Sequence, residues 1–446
     1  MKKLILILLS LFFISSFLIS EEEKEEEEII SLRMERLDML KYGIDSEVTE
    51  LLTTLNSEED DEFNDVILQQ IKISSNSDMI NGALQLFITT EYREAEDFAI
   101  DILKNDDLYS NSILSKVMFY LSKDLSKDGA EAVALMFDHD QASVARSAIA
   151  AIGHIEDENY AEQLLELLDD DDFHEEVKST ILVSLGDMKA MSAIDLLTDI
   201  ALDENEEKSW RWYACQSLGK IGAVESFPVL KSLLGDDDPN LRSFAVEGIG
   251  YFDSDETGGI LISALRDSFW KVRVSAARQL GELKESNAVG ILIYKAGKDP
   301  ENNVKKEAIK ALGLIGDEEG FDYLKELVGS TRTNPAIWTS AVDCLMDNNL
   351  QDSMEVFTKM IEDEWEKDNS FHLEYLAKSL SIQEGGFLQS LTGRFMDHSS
   401  LNLKIYGLRM AEKNGFNSYK ERIEVLSGED SPNAVRKTAL SALESF

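Results

Sequence analysis

The chain has 446 residues, with 86 Asp+Glu against 43 Lys+Arg, a formal net charge of −43, five prolines and two cysteines. Hydrophobic residues make up 43%, enough for a large core, which excludes wholesale disorder. The charge argues against nucleic acid and anionic lipid as general partners, and two cysteines build neither a disulfide framework nor a zinc site.

Met1-Lys2-Lys3 is a short positive start, Leu4 to Ile19 carries no charge, and an acidic run from Glu21 to Glu28 follows almost at once. This order reads as a secretory signal peptide over residues 1–20 and an acidic tail over 21–29. The apolar run is short for a spanning helix, which needs about 17–25 residues. Ser20 suits a cleavage site and Leu18 does not, so an uncleaved short anchor stays open. The first cysteine is Cys215, so the chain is not a lipoprotein. The expected location is therefore exported, periplasmic or cell-envelope, with no membrane insertion beyond this segment.

Residues 30–140 show helical patterning, as in Glu47 to Leu55 and Glu62 to Ile73, without an assignable register before about residue 107. Ser110 to Ser122 lies one period before Gly153. From there a repeat of 31–33 residues is plain. Gly153, Gly186, Gly219, Gly250, Gly281 and Gly313 mark it. Ala148, Ile181, Ala214, Ala245, Ala276 and Ala308 stand five residues earlier, and Ile152, Leu185, Leu218, Ile249, Leu280 and Leu312 stand just before. Lys178, Arg211, Arg242, Arg273 and Lys305 fill a basic column eight residues before five of the six glycines. Within Val272 to Leu283 the apolar residues recur at helical spacing, and the glycine is expected to let the chain turn left-handed after its helix. Pro239, Pro300, Pro335 and Pro432 each sit just ahead of a first helix, where a missing N–H costs nothing. No segment alternates with period two, so no sheet is expected.

Lys271-Val272-Arg273…Ala276-Ala277-Arg278-Gln279-Leu280-Gly281 and Val304-Lys305…Ala308-Ile309-Lys310-Ala311-Leu312-Gly313 resemble the short HEAT-like repeat, the compact type also found in phycobilin lyases. The resemblance covers residues 141–330 as six units. It fades over 331–446, where Met346 replaces the glycine, and revives at Ala434 to Leu440. It implies an all-α fold: a right-handed α-solenoid of stacked antiparallel helix pairs. Residues 30–140 and 331–446 are read as degenerate repeats of the same kind.

The basic column is expected to pair with turn aspartates as a structural ladder, Arg242 with Asp236, Asp237 or Asp238 and Arg273 with Asp267, rather than to bind anions. Trp210, Trp212, Trp270 and Trp338 open first helices and are candidate protein-binding residues, although such spacing also suits a core stripe. Asp253 to Ala264 resembles a calcium loop but has Ala264 where a bidentate glutamate is required, so an ordinary turn is expected; Asp169 to Asp172 reads as a solvated turn. The five histidines share no metal-ligand spacing, and Cys215 and Cys344 read as buried core residues.

No catalytic, cofactor or metal site is assigned. The expected function is a non-enzymatic exported scaffold that binds a protein or peptide with a basic segment along an acidic surface, with no nucleic acid. A bilin-lyase-like enzyme or chaperone, and a structural envelope protein gathering divalent cations, are the alternatives.

Overall fold

The computed structural model describes residues 30–123, 126–154, 158–170, 172–367 and 369–445. The expected signal segment and acidic tail, residues 1–29, lie outside the described residues. Every regular element among the described residues is a helix. Two compact units are distinguished, one ending at Ala223 and one beginning at Val224.

Each unit is an α-solenoid. In the first, the leading helices of successive pairs begin at Asp45, Ser77, Asn111, Ala142, Glu175 and Lys208. In the second they begin at Pro239, Trp270, Asn302, Pro335, Phe371, Leu401 and Asn433. Starts within a unit are 30–36 residues apart, so the repeat extends through both regions where its sequence signature fades. Within each unit every first helix packs on the next.

The pair Trp270–Glu282 and Val289–Lys298 shows why the sequence folds this way. Val272, Ala276 and Leu280 recur every four residues and are buried, as are Val289, Leu292 and Ala296 on the second helix, which packs on the next first helix, Asn302–Ile315. Burying a Val or Leu side chain contributes roughly 1.5–3 kcal/mol, and a lone helix pair has no surface on which to bury both faces. Pro239 and Pro335 occupy the first turn of their helices, behind Asp238 and Asn334, whose side chains accept N–H bonds as N-caps.

The glycines that mark the repeat serve a purpose other than the expected turn. Gly186, Gly281 and Gly313 lie inside their helices, and Gly153 and Gly250 close theirs with right-handed backbone. Within the register the left-handed residues come three positions after the glycine, at Gly222 and Gly316 and equally at Lys189 and Lys284. What the register glycines allow is close approach of the next first helix. A Cβ on Gly186 would stand 2.7 Å from the Ser217 Cα, and one on Gly281 would stand 2.8 Å from the Ala311 Cα. The contacting residue is two positions before the next register mark, and where it is Ser or Cys its side chain bonds backward. Ser184 Oγ donates to Ile149 O at 2.9 Å, Ser217 Oγ to Leu182 O at 2.7 Å, and the Cys344 thiol to Ile309 O at 3.3 Å.

Candidate interaction surface

The basic column forms a ladder, with its rungs shifted by one repeat from expectation. Arg242 donates side-on to the Asp267 carboxylate, from Nε at 2.9 Å and Nη2 at 3.0 Å, while Nη1 reaches the Asp236 carbonyl at 2.8 Å. Arg273 holds Asp299 in the same way, at 2.9 and 2.7 Å, and gives Nη1 to the Asp267 and Ser268 carbonyls. Each arginine therefore takes backbone oxygens from its own turn and a carboxylate from the next. The expected pairings are corrected accordingly: Asp236 and Asp237 give Arg242 their carbonyls, the Asp238 carboxylate caps its helix at the Asn240 N–H, and Asp267 gives Arg273 its carbonyl. The carboxylates of Asp267 and Asp299 also accept the N-cap N–H of Phe269 and of Glu301.

Burial alone would raise the Asp299 carboxyl, but bonds from Arg273, the Glu301 N–H and Lys295 outweigh it and hold the group below the usual carboxylate range. Asp267 is held low by the same balance, with Arg242 and the Phe269 N–H overcoming burial. Elsewhere the column differs. Arg211 is buried and donates Nε to Ala201 O, Lys178 is buried beside Glu175 of its own helix at 3.7 Å, and Lys305 is half-buried.

The four tryptophans separate. Trp338 is fully buried, donates Nε1–H to Val328 O at 2.9 Å, and packs against Phe371, His372 and Tyr375. It is a core residue and offers no ring edge to a partner, which corrects its candidate role. Trp210, Trp212 and Trp270 are half-buried, and Lys271 Nζ lies 5.9 Å from the Trp270 ring centroid.

The Asp253–Ala264 segment is a turn followed by the helix Thr257–Ala264, with Thr257 Oγ1 bonded to Phe252 O and Glu256 paired with Lys231. In the Asp169 to Asp172 turn, Asp170 Oδ1 accepts from the Asp172 N–H at 2.8 Å, and residue 171 lies outside the described residues. Among the described residues no three His, Cys, Asp or Glu side chains converge on a metal-sized site. His139 and His398 act as turn caps, each Nδ1 accepting the N–H two residues on, from Gln141 and Ser400 at 3.0 Å. Both cysteines are buried thiols, and burial pushes the Cys344 thiol up to about 12, far from a reactive thiolate.

One arrangement escapes the glycine register altogether. In the first unit Asp65, Asp97, Glu131, Glu162 and Asp195 each stand 20 residues beyond the start of their repeat's first helix, and all five are exposed. They lie on successive second helices, Asn64–Ile71, Glu96–Lys104, Lys127–Ala134, Glu158–Asp169 and Ile194–Leu202. One turn further on, Asp101, Leu135, Glu166 and Asp199 form a second exposed row. The result is a graded comb of carboxylates with apolar side chains among them. Leu196 and Leu202 add to those, 38% and 46% exposed. In the second unit the same position is interrupted: it holds Gly259 and Gly290, where an added Cβ would meet nothing within 4 Å, then exposed Asp322 and Glu355, buried Leu391 and exposed Glu421. Beside Gly259 a cleft of about 730 Å³ opens, lined by Lys231, Leu234, Ile260, Ser263 and Arg266.

The spirochaete HEAT repeat protein profile matches residues 40–442. The chain belongs to this family. The family match covers both units, including the stretches before 141 and after 330. No curated protein matches the sequence. Solved structures similar to this chain include human deoxyhypusine hydroxylase with glycerol, at 17% identity and TM-score 0.27, covering 59% of this chain and 96% of that one. The CpcE–CpcF phycocyanin lyase complex of Nostoc sp. shows 16% identity and TM-score 0.34, covering 52% and 94%. Importin beta shows 13% identity and TM-score 0.42, covering 93% and 71%. Among the described residues no helix is long and apolar enough to cross a membrane.

Proposed function

We propose that this HEAT repeat protein is a non-enzymatic, exported scaffold that holds a basic polypeptide segment on the second-helix face of its first unit. The observation that carries the reading is the in-register row Asp65, Asp97, Glu131, Glu162 and Asp195. Successive first helices pack at about 8–10 Å, and a row held at one register position repeats its carboxylates at about that interval from repeat to repeat. That interval is close to the Debye length of about 8 Å at physiological salt, and a cationic chain laid along the row neutralises several charges at once. Each exposed pair contributes only about 0–1 kcal/mol, so affinity comes from the number engaged and from apolar contact with Leu135, Leu196 and Leu202. Export rests on the N-terminal sequence pattern, residues 1–20.

The direct test is affinity capture from the native envelope fraction with in-situ crosslinking and a salt-graded wash. The bait is the mature chain, beside a variant with Asp97→Asn, Glu131→Gln, Glu162→Gln and Asp195→Asn. A basic partner released at moderate salt and missing from the variant is the expected result. A partner kept equally by both baits overturns the assignment of the surface.

A further inference from the structure

Charge is spread unevenly over this acidic molecule. Residues 266–310 hold ten Lys+Arg against six Asp+Glu, the reverse of the balance in the chain as a whole. Three of those cations are satisfied internally: Arg273 and Lys295 by Asp299, and Arg278 by Glu307 at 3.3 Å. Lys271, Lys306 and Lys310 are exposed and make no ion pair among the described residues.

These side chains share one surface. Lys271, Val274 and Arg278 recur three and four residues apart on the helix Trp270–Glu282, and Asn303, Lys306 and Lys310 repeat the spacing on Asn302–Ile315. The two helices pack side by side. The register places Lys306 beside Val274 and Lys310 beside Arg278, consistent with the Arg278–Glu307 contact. Val274 is half-buried at the centre, and the half-buried Trp270 ring lies at one end under Lys271. Acidic residues bound the island in the row of Arg278 and Lys310, with Glu247 one first helix before and Asp343 one first helix after.

We infer that this island docks a short acidic polypeptide segment of a partner protein, a second interaction surface of opposite sign that goes beyond the proposed carboxylate row. The bounding acids decide the size of the occupant. The island is two helices wide, about 10 Å between axes, and about 10 Å long at 1.5 Å per residue. A nucleic-acid duplex carries one charge per ~1.7 Å of axis, and an anionic membrane is a continuous surface. Either would set further negative charge against Glu247 and Asp343 within a Debye length. A strand of a few acidic residues fits between them, with Val274 and Trp270 available to an apolar neighbour.

The test is fluorescence anisotropy of a labelled hexaglutamate peptide titrated with the full mature chain. Neutralising Lys271, Lys306 and Lys310 together to Gln is expected to weaken binding at least tenfold. Neutralising the exposed Lys41, Lys104 and Lys437 to Gln should change it less than twofold. Circular dichroism melts of both variants verify folding, and the single variants Lys306→Gln and Lys310→Gln provide the same comparison should the triple variant melt early. Absence of peptide binding, equal losses in the two triple variants, or competition by inorganic phosphate or anionic-lipid vesicles at matched charge would each overturn the inference. The carboxylate-row variant is expected to bind this acidic probe undiminished, which separates the failure of this surface from the failure of the proposed function.

Discussion

Arg273 and Asp299 meet side-on across one repeat, Nε to Oδ2 at 2.9 Å and Nη2 to Oδ1 at 2.7 Å, with both side chains buried. Lys295 adds a contact to the same carboxylate at 3.2 Å, and the Glu301 N–H adds another at 3.1 Å. Every acceptor site of Asp299 is thereby engaged, and the pair ties the turn before one first helix to the turn before the next.

Removing one partner of this pair strands the other in a buried site. Arg273→Ala or Asp299→Ala is expected to destabilise the second unit by about 3–5 kcal/mol. Lys305→Ala, at a half-buried member of the same column, is expected to cost under about 1 kcal/mol. Urea denaturation midpoints of the three variants make the comparison, and equal midpoints would show that the ladder carries no load.

The same groups set an acid limit. Asp267, Asp299 and Glu364 have folded-state carboxyls held below the usual range, Glu364 because Lys367 and Ser370 outweigh its burial. A carboxyl depressed on folding contributes stability that is present above its unfolded value, about 3.9–4.3, and is lost as pH falls through the folded value. Stability is therefore expected to fall steeply below about pH 4, and the fall should be shallower in Asp299→Asn. Between neutral pH and about pH 5 the relief of self-repulsion in a chain of −43 acts the other way. Thermal melts across pH 2–7 should show a maximum in between.

The glycines sort into opposite outcomes. Gly281→Ala drives a Cβ to 2.8 Å from the Ala311 backbone and is expected to cost about 1–3 kcal/mol. Gly290 sits in the helix Val289–Lys298 with open space around it, and Gly290→Ala is expected to stabilise by about 0.5 kcal/mol. Differential scanning calorimetry resolves the two signs.

Much of the fold is legible in the sequence because its signal is periodic. The small residue at Ala276, the leucine at Leu280 and the glycine at Gly281 repeat with one spacing, and each is buried against the next helix. The basic column is legible as a ladder, but not its rungs. Asp236 and Asp267 are both near in sequence to their arginines, and only the stacking geometry decides that a carboxylate is reached from the preceding repeat. The glycine's role is not legible, because the left-handed turn lies three residues further on, at Gly222 and Gly316, while the register position is governed by contact with Ser217 or Ala311. The carboxylate row is hidden for a different reason. Its alignment depends on where first helices begin, at Asp45 and Ser77 among others, and those two repeats lack the register glycine.

Tryptophan substitution separates core from surface. Trp338→Ala is expected to cost about 3–5 kcal/mol, because it removes a fully buried ring and its bond to Val328 O. Trp270→Ala, at a half-buried ring, is expected to cost well under half of that. Chemical denaturation of the two variants checks the ranking, and a larger loss at Trp270 would reverse the assignment of core and surface.

On the proposed function, the position of the carboxylates in the first unit, and not net charge alone, recruits a basic segment. The measurement is the Kd of a lysine-rich probe peptide for the mature chain and for two variants of equal net charge. One variant neutralises Asp97, Glu131, Glu162 and Asp195 to their amides. The other neutralises Asp253, Asp255, Glu282 and Asp347, exposed in the second unit and off that register. Recruitment by position predicts at least tenfold weaker binding for the first variant and a change under twofold for the second. Equal weakening in both would contradict it, leaving only nonspecific attraction to an acidic molecule.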